Sequence, residues 1–451
     1  MDLIQEIESY LSRLFPIARS IAGPGSRESL RVLQEIVPLN ILEYPSGATV
    51  YDWIIPREWE VRSAFVKNSR GEKVIDFRNS NLHVMGFSRA VHQKIVLEDL
   101  EPHLHYLPDM PDAIPYRTTY YQDGWGFCLT YHQYQALIKD EGPFEVFIDS
   151  SFKDGSLTVG ELLIKGESEQ EVLISTYICH PSLANDNLSG MILTAFLARE
   201  LLSRKNLKRS YRIVFVPETI GAITYCAMNE MAMKAIDIGL VVTTVGGPGK
   251  FGYKQSFDQS HYINKLIEEI LLEGDHDFIT YPFDIHGSDE RQYSSPGFRI
   301  NAATICKDKY YEYPYYHTSL DNLDFVKAEY IYQTLQVYLR LIDKLELTGL
   351  PTEVAVDVGR HQAPDSSKAL CFRSQPHCEI MLSKHNLYPE TGGKWLPGEE
   401  NGLDLDLILW LLFYCDGTHN LESISKKIGA PLDKLEVIAF KLEKKGILKI
   451  G

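Results

Sequence analysis

The chain has 451 residues and a net charge of −16, from 45 lysines and arginines against 61 aspartates and glutamates. That length exceeds one hydrophobic core and calls for about two or three domains, and the acidic balance disfavours general attraction to nucleic acid or an anionic membrane. The 7 cysteines include no Cys-x-x-Cys pair and read as reduced thiols rather than a disulfide framework.

Residues 1 to about 38 read as two helices, the second from Arg27 to Ile36 behind Gly23-Pro-Gly-Ser26, with Ser26 as its cap. The opening Met-Asp-Leu-Ile-Gln-Glu-Ile-Glu has no basic or apolar targeting region, and no apolar run reaches the roughly 18 residues of a membrane span. A cytoplasmic location away from membranes is therefore expected. From Thr49 to Gln135 the texture changes to short alternating segments, Thr49 to Ile55, Glu60 to Val66 and Gly124 to Tyr131, which predict a β-rich module. Within it, His103, His105 and the stretch Arg117 to Tyr121 read as solvated loop or strand.

An α/β pattern resumes with Phe144 to Ile148. The apolar strand Glu171 to Cys179 runs into His180, and Asp186 stands at the mouth of a helix from Leu188 to Arg204. A second strand, Tyr211 to Pro217, delivers Glu218 and Thr219 into the turn before a helix near Gly221. A third, Ile238 to Val245, ends in Gly246-Gly247-Pro248-Gly249. A fourth, Ile300 to Cys306, leads through a tyrosine-rich loop to His317-Thr-Ser-Leu-Asp321, and a long amphipathic helix runs from Val326 to Leu347. Each polar element follows a strand and precedes a helix, which predicts an α/β fold with a doubly wound, mostly parallel sheet and a site at the strands' carboxyl ends.

Beyond Leu350 the chain is irregular, and Cys371, His377, Cys378 and His385 fit no zinc-finger spacing. Helical segments at Leu403 to Phe413, Leu421 to Ile428 and Pro431 to Lys445, then a strand to Ile450, resemble a winged helix-turn-helix. From Asn401 onward 7 lysines meet 7 acids. A DNA reader needs a basic footprint, so packing or dimerisation is expected here rather than nucleic-acid binding. The predicted domains are an α/β unit from 1–48 and 138–350, an inserted β-rich unit at 49–137, and a winged-helix unit at 351–451 with an irregular lead-in.

His180, Asp186, Glu218 and His317 together form a nitrogen and oxygen donor set that suits Zn²⁺ better than Ca²⁺ or Mg²⁺. Zinc chemistry with a free carboxylate beside it points to amide or ester hydrolysis. Asp186 also suits a helix amino terminus, where a carboxylate complements the macrodipole. Cys179, beside His180, reads as a buried strand residue.

The ordered motifs His180…Asp186-Asn-Leu-Ser-Gly190, Glu218-Thr-Ile-Gly221, Ser288-Asp-Glu-Arg291 and His317-Thr-Ser-Leu-Asp321 resemble the co-catalytic zinc aminopeptidases. The nearest resemblance is to bacterial aminopeptidase-like proteins with an inserted β-rich domain and a carboxy-terminal winged helix. It implies that His180 and His317 bind metal, that Asp186 bridges two metals, and that Glu218 is the general base. Three positions depart from the pattern: Thr219 replaces a ligating glutamate, Ser182 replaces an orienting aspartate, and Thr243, Thr244, Gly246 and Gly247 stand where another acidic ligand is expected. One zinc held by His180, Asp186 and His317 is therefore expected rather than two. Glu218 then serves as base, or alternatively as a further ligand.

In Ser288-Asp-Glu-Arg-Gln-Tyr293, Asp289 is expected to brace the metal site while Arg291 and Tyr293 face the substrate. The expected function is a zinc-dependent hydrolase of aminopeptidase type acting on a small peptide or peptide-like metabolite. The alternative is a catalytically silent binding or regulatory protein that keeps the pocket and uses the winged helix for partners. A homo-oligomer is compatible with the sequence.

Overall fold

The computed structural model describes residues 2–348, 371–385, 387 and 402–451, so most of the irregular lead-in read at 351–402 lies outside the described residues. An eight-stranded sheet has the order Asn40–Pro45, Ser156–Ile164, Ser210–Val216, Glu171–Tyr177, Ile238–Val241, Asn301–Lys307, Phe251–Lys254, Phe278–Tyr281. Its four consecutive strands from Ser210–Val216 to Asn301–Lys307 are parallel. Those at Ser210–Val216 and Asn301–Lys307 are buried along their whole length, as parallel strands covered by helices on both faces must be.

Alternate side chains enter two cores. Ile174 and Ile213 pack beneath the helices Leu3–Leu14, Gly190–Ser203, Tyr262–Glu273 and Ala328–Leu347. Leu173 and Val214 face the helix Ile220–Met228 on the other side. The fold class read from the sequence is the one observed.

Two readings need correction. The second helix begins at Pro24, with Gly23 at its cap position, and Ser26 lies inside it with Oγ donating to the Ser20 carbonyl at 2.6 Å. Proline suits a first helical position because its missing N–H has no partner to lose there. The second correction concerns the insert. Phe144–Lys153 pairs with Glu58–Lys67 and Val91–Ile95 in a four-stranded sheet that Lys73–Asp76 completes, so the main sheet resumes only at Ser156–Ile164. Phe144, Val146 and Ile148 are buried while Glu145 and Phe147 are half-buried, which is the alternation of an antiparallel sheet with one covered face.

The carboxy-terminal unit has helices Gly402–Tyr414, Leu421–Ile428 and Leu432–Lys444, and a three-stranded sheet with Cys371–Ser374 between Asp416–Asn420 and Leu448–Ile450. Leu411, Ile424, Leu435 and Leu442 form its own core. Asn420 caps the second helix by accepting from the Ser423 N–H at 2.8 Å, and Gly429 ends it with φ 69°, a left-handed conformation that glycine adopts without penalty. No helix among the described residues is long and apolar enough to cross a membrane.

Candidate metal centre

His180 lies three residues beyond the end of the strand Glu171–Tyr177 and is almost fully buried. Its backbone is pinned by Arg19, whose Nε donates to the His180 carbonyl at 2.8 Å while its Nη1 donates to the Leu14 carbonyl at 2.6 Å. Asp186 sits in an irregular wide turn, Ala184–Ser189, ahead of the helix Gly190–Ser203. Gly190 is required there because a Cβ would fall 2.2 Å from Asn187 Oδ1 and 2.5 Å from the Val242 carbonyl.

Asp186 does not cap that helix. Its Oδ1 accepts from the Tyr177 hydroxyl, which also meets Thr243 Oγ1 at 2.7 Å, and its Oδ2 points to two histidines. Asp321 fixes the backbone of the turn, accepting from Asn185 N at 2.7 Å, Asp186 N at 3.0 Å and the Tyr313 hydroxyl at 2.9 Å.

Asp186 Oδ2 is 3.0 Å from His317 Nε2 and 3.9 Å from His180 Nε2, and Glu218 Oε2 is 3.8 Å from the same His180 nitrogen. Donor atoms of His180, Asp186 and His317 all lie within 4.8 Å of one another. Asp186 Oδ2 and His317 Nε2 are both buried without a hydrogen-bond partner. Convergent orphaned donors of this kind are costly unless a cation or a proton joins them, and two imidazoles with one carboxylate are zinc-type ligands. The donor set therefore fits zinc.

Burial pushes His180 down to about 4, which leaves a neutral imidazole at neutral pH, the form that ligates metal. Burial works to raise Asp186, but the two histidines and the Tyr177 hydroxyl outweigh it and hold the carboxyl below its usual range. Glu218 behaves oppositely: burial, then Asp289 and Asp186, raise it well above the usual carboxylate range against the pull of Arg291. Cys179 joins His180 and Glu218 in a second group of candidate donors, but its sulfur accepts from Glu218 N at 3.3 Å and burial pushes its thiol well up.

Asp289 lies behind Glu218, with Oδ1 accepting from Thr219 N at 2.7 Å, and burial raises its carboxyl to about 7. Arg291 donates from Nη2 to Thr219 Oγ1 at 3.3 Å, on the Glu218 side of the cleft. Tyr293 is a correction. It is fully buried in the core beneath the sheet, its hydroxyl 2.7 Å from Ser175 Oγ, and does not face the cleft. Arg291 and Tyr293 are two apart on one short helix, Glu290–Tyr293, and such positions point to opposite sides.

The insert closes the site from above. Pro115 and Thr318 form an antiparallel bridge, and Tyr116 N donates to the His317 carbonyl at 2.8 Å. The Tyr116 ring centroid lies 5.2 Å from that of His180 and 5.3 Å from that of His317, and its hydroxyl meets that of Tyr120 at 2.9 Å. Tyr316 stacks on His317 at 3.9 Å. Sequence reasoning missed Tyr116, Tyr177 and Arg19. Asp321 stood in a quoted motif without a role.

A family model described as a domain of unknown function (DUF4910) matches residues 8–348. The chain belongs to this family. A winged helix-turn-helix model matches residues 369–450. A Clostridium acetobutylicum protein, described provisionally as a polysaccharide biosynthesis protein with an aminopeptidase-like domain, is 39% identical over 445 residues, covering 99% of this chain and 96% of the relative. A crystal structure from the same organism, provisionally described as a peptidase, superposes with a TM-score of 0.74 at 38% identity, covering 99% and 96% of the two chains. A Bacillus subtilis zinc aminopeptidase has a TM-score of 0.55 at 12% identity, covering 76% of this chain and 94% of its own. At that identity the likeness speaks for the fold alone: this DUF4910 chain has the zinc-aminopeptidase fold, with a winged helix at its carboxy terminus.

Proposed function

We propose that the chain is a zinc-dependent hydrolase of aminopeptidase type, with one zinc held by His180, Asp186 and His317 and with Glu218 as general base. The observation that carries the reading is the pair of orphaned buried atoms, Asp186 Oδ2 and His317 Nε2, facing His180 Nε2 with the Glu218 carboxylate alongside. Zinc, when bound, supplies Lewis acidity that acidifies water and polarises a carbonyl. Glu218 is made basic by burial and by its acidic neighbours, so it takes a proton from the attacking water and then returns it to the leaving nitrogen. Asp289 holds the Thr219 backbone and so fixes the turn that carries Glu218. Arg291, 23% exposed along its side chain, presents its guanidinium to a carboxylate or an oxyanion of the substrate.

Thr219 supports one metal rather than two. It stands at the position of a ligating glutamate, and its hydroxyl accepts from Arg291, so a fixed positive charge lies where a second cation would need negative ligands. Substrates are small peptides or peptide-like amides, and because the Clostridium relative is described as a polysaccharide biosynthesis protein we add amino-sugar amides to the screen.

Metal analysis of chelator-free protein, paired with Glu218→Gln, tests the reading. About one zinc per chain is expected in both proteins, and turnover of aminoacyl-p-nitroanilides or short peptides should fall about 10² to 10⁴-fold in the variant. Loss of zinc in Glu218→Gln would make the residue a ligand. Wild type that binds a peptide or metabolite but cleaves nothing would favour the silent binding protein, a reading for which Thr219 and the absent acidic ligand speak.

A further inference from the structure

Within the carboxy-terminal unit, the segment that follows the strand Cys371–Ser374 packs against the α/β unit beside Arg291. Its His377 carbonyl accepts from Gly297 N at 2.9 Å and Ser295 Oγ at 2.7 Å, and a Cβ at Gly297 would sit 2.6 Å from that carbonyl oxygen. Cys378 is buried in the same core as Tyr293. Glu379 follows, and it is held on three sides. Its backbone N–H donates to Gln292 Oε1 at 3.2 Å, its carbonyl accepts from Trp53 Nε1 of the insert at 2.7 Å, and its Oε2 accepts from Gln292 Nε2 at 2.7 Å.

The carboxylate fixed in this way lies 3.3 Å from Arg291 Nε, and among the described residues it is the only acid ion-paired with that guanidinium. The pair is mostly shielded from solvent, with side-chain exposures of 23% and 15%, so water screens it little. Glu218 and Asp289 also pull on Arg291. Without Glu379 the guanidinium would be free to fall onto the proton-accepting carboxylate of Glu218. A cavity lined by both Arg291 and Glu379, and by none of the candidate metal donors, is walled by Ile285, Leu409, Leu412 and Phe413, three of them from the first helix of the winged-helix unit.

We propose that Glu379 is the positioning residue for Arg291, holding the guanidinium toward the substrate and off Glu218, so that the carboxy-terminal module is a working part of the active site. The substrate half of this inference rests on the proposed hydrolase function. The contact itself does not.

The test compares full-length, zinc-loaded wild type, Glu379→Gln, Arg291→Ala and the double variant. Glu379→Gln keeps the backbone contacts and should raise KM about 10-fold through loss of the ion pair, and lower kcat several-fold as the guanidinium moves onto Glu218. In the Arg291→Ala background the same change should have no further effect. Glu379→Asp, which keeps the charge, should recover most of the loss. Arginine labelling with phenylglyoxal, quantified on the Arg291 peptide, should rise several-fold in Glu379→Gln while buried Arg19 stays unlabelled.

Equal losses in both backgrounds would overturn the proposal, as would a rise in labelling with KM unchanged, since the contact would then be merely structural. Unchanged labelling overturns it whether or not the wild type turns anything over. An inactive wild type with increased labelling in the variant rejects the hydrolase reading and leaves the positioning contact standing. If Glu379→Gln fails to fold, Glu379→Asp and the Arg291→Ala background carry the same comparison.

Discussion

Changing Tyr177 to phenylalanine should weaken zinc binding without altering any of the three proposed ligands. The Tyr177 side chain is buried, and its hydroxyl donates to Asp186 Oδ1 while meeting Thr243 Oγ1. It orients the carboxylate so that Oδ2 faces His180 and His317. Phenylalanine fills the same space, so no cavity opens, but Asp186 Oδ1 is left buried without its donor. A hydrogen bond to a charged group contributes about 1.5–3 kcal/mol. Loss of an outer-shell partner typically costs about 10- to 100-fold in metal affinity, which at about 1.4 kcal/mol per tenfold is the same magnitude reached independently. The zinc dissociation constant, measured by competition with a chelator of known affinity, should therefore rise about 10- to 100-fold. Asp186→Asn serves as the reference for direct loss of a ligand charge. Undiminished zinc affinity in a folded Tyr177→Phe protein would refute the orienting role, and undiminished affinity in Asp186→Asn would remove the aspartate from the metal site.

His180→Ala and His317→Ala should each abolish stable zinc retention, because three protein ligands leave no redundancy; zinc bound at wild-type affinity in both variants would exclude them. Tyr293→Phe should lower stability by about 1 kcal/mol through the lost 2.7 Å contact with Ser175 while leaving KM unchanged, and an altered KM would return the residue to the cleft. Lys254 and Glu290 form a buried ion pair at 2.6 Å, each 1% exposed, which anchors the helix carrying Arg291. Lys254→Met should cost about 3–5 kcal/mol in denaturant melts, and Glu290→Gln in the same chain should recover much of it. Equal destabilisation in the single and double variants would contradict the stranded-charge account.

The proposed site residues His180 and Glu218 stood out in the sequence because each interrupts an apolar run at the end of a strand: His180 after Glu171–Tyr177, and Glu218 after Ser210–Val216. Tyr177 was not, since a tyrosine inside a buried strand carries no mark distinguishing a core ring from a hydroxyl aimed at a carboxylate. Asp186 looked equally like a helix cap until the wide turn Ala184–Ser189 rotated its carboxylate away from the helix axis. Tyr293 was misread by setting it on the same face as Arg291; the motif is a single helical turn that points the two apart. The insert boundary failed at Phe144 because strand propensity says nothing about which sheet a strand joins. Tyr116 and Glu379 lie about 60 or more residues from any ligand they approach, in stretches whose local pattern has no periodic signal of a site.

This division has a consequence for specificity. The proposed donors His180 and Asp186 and the proposed base Glu218 follow the carboxyl ends of two adjacent parallel strands, where the sheet itself brings them together, while His317 reaches them from the long loop after Asn301–Lys307. The groups that would touch substrate beyond the scissile bond come from elsewhere: Tyr116 and Tyr120 from the insert, Tyr316 from a long loop, and Arg291 from a single helical turn clamped by the carboxy-terminal Glu379. In this chain the sheet therefore positions most of the proposed metal site, whereas the groups proposed to meet substrate come from segments that the sheet does not constrain. For this chain the residues to vary in a substrate screen are accordingly the capping ones. Exchanging Tyr116 or Arg291 should redistribute KM among peptides and amino-sugar amides while zinc stoichiometry stays fixed, and a change in zinc content with no change in substrate preference would place both residues in the metal scaffold instead.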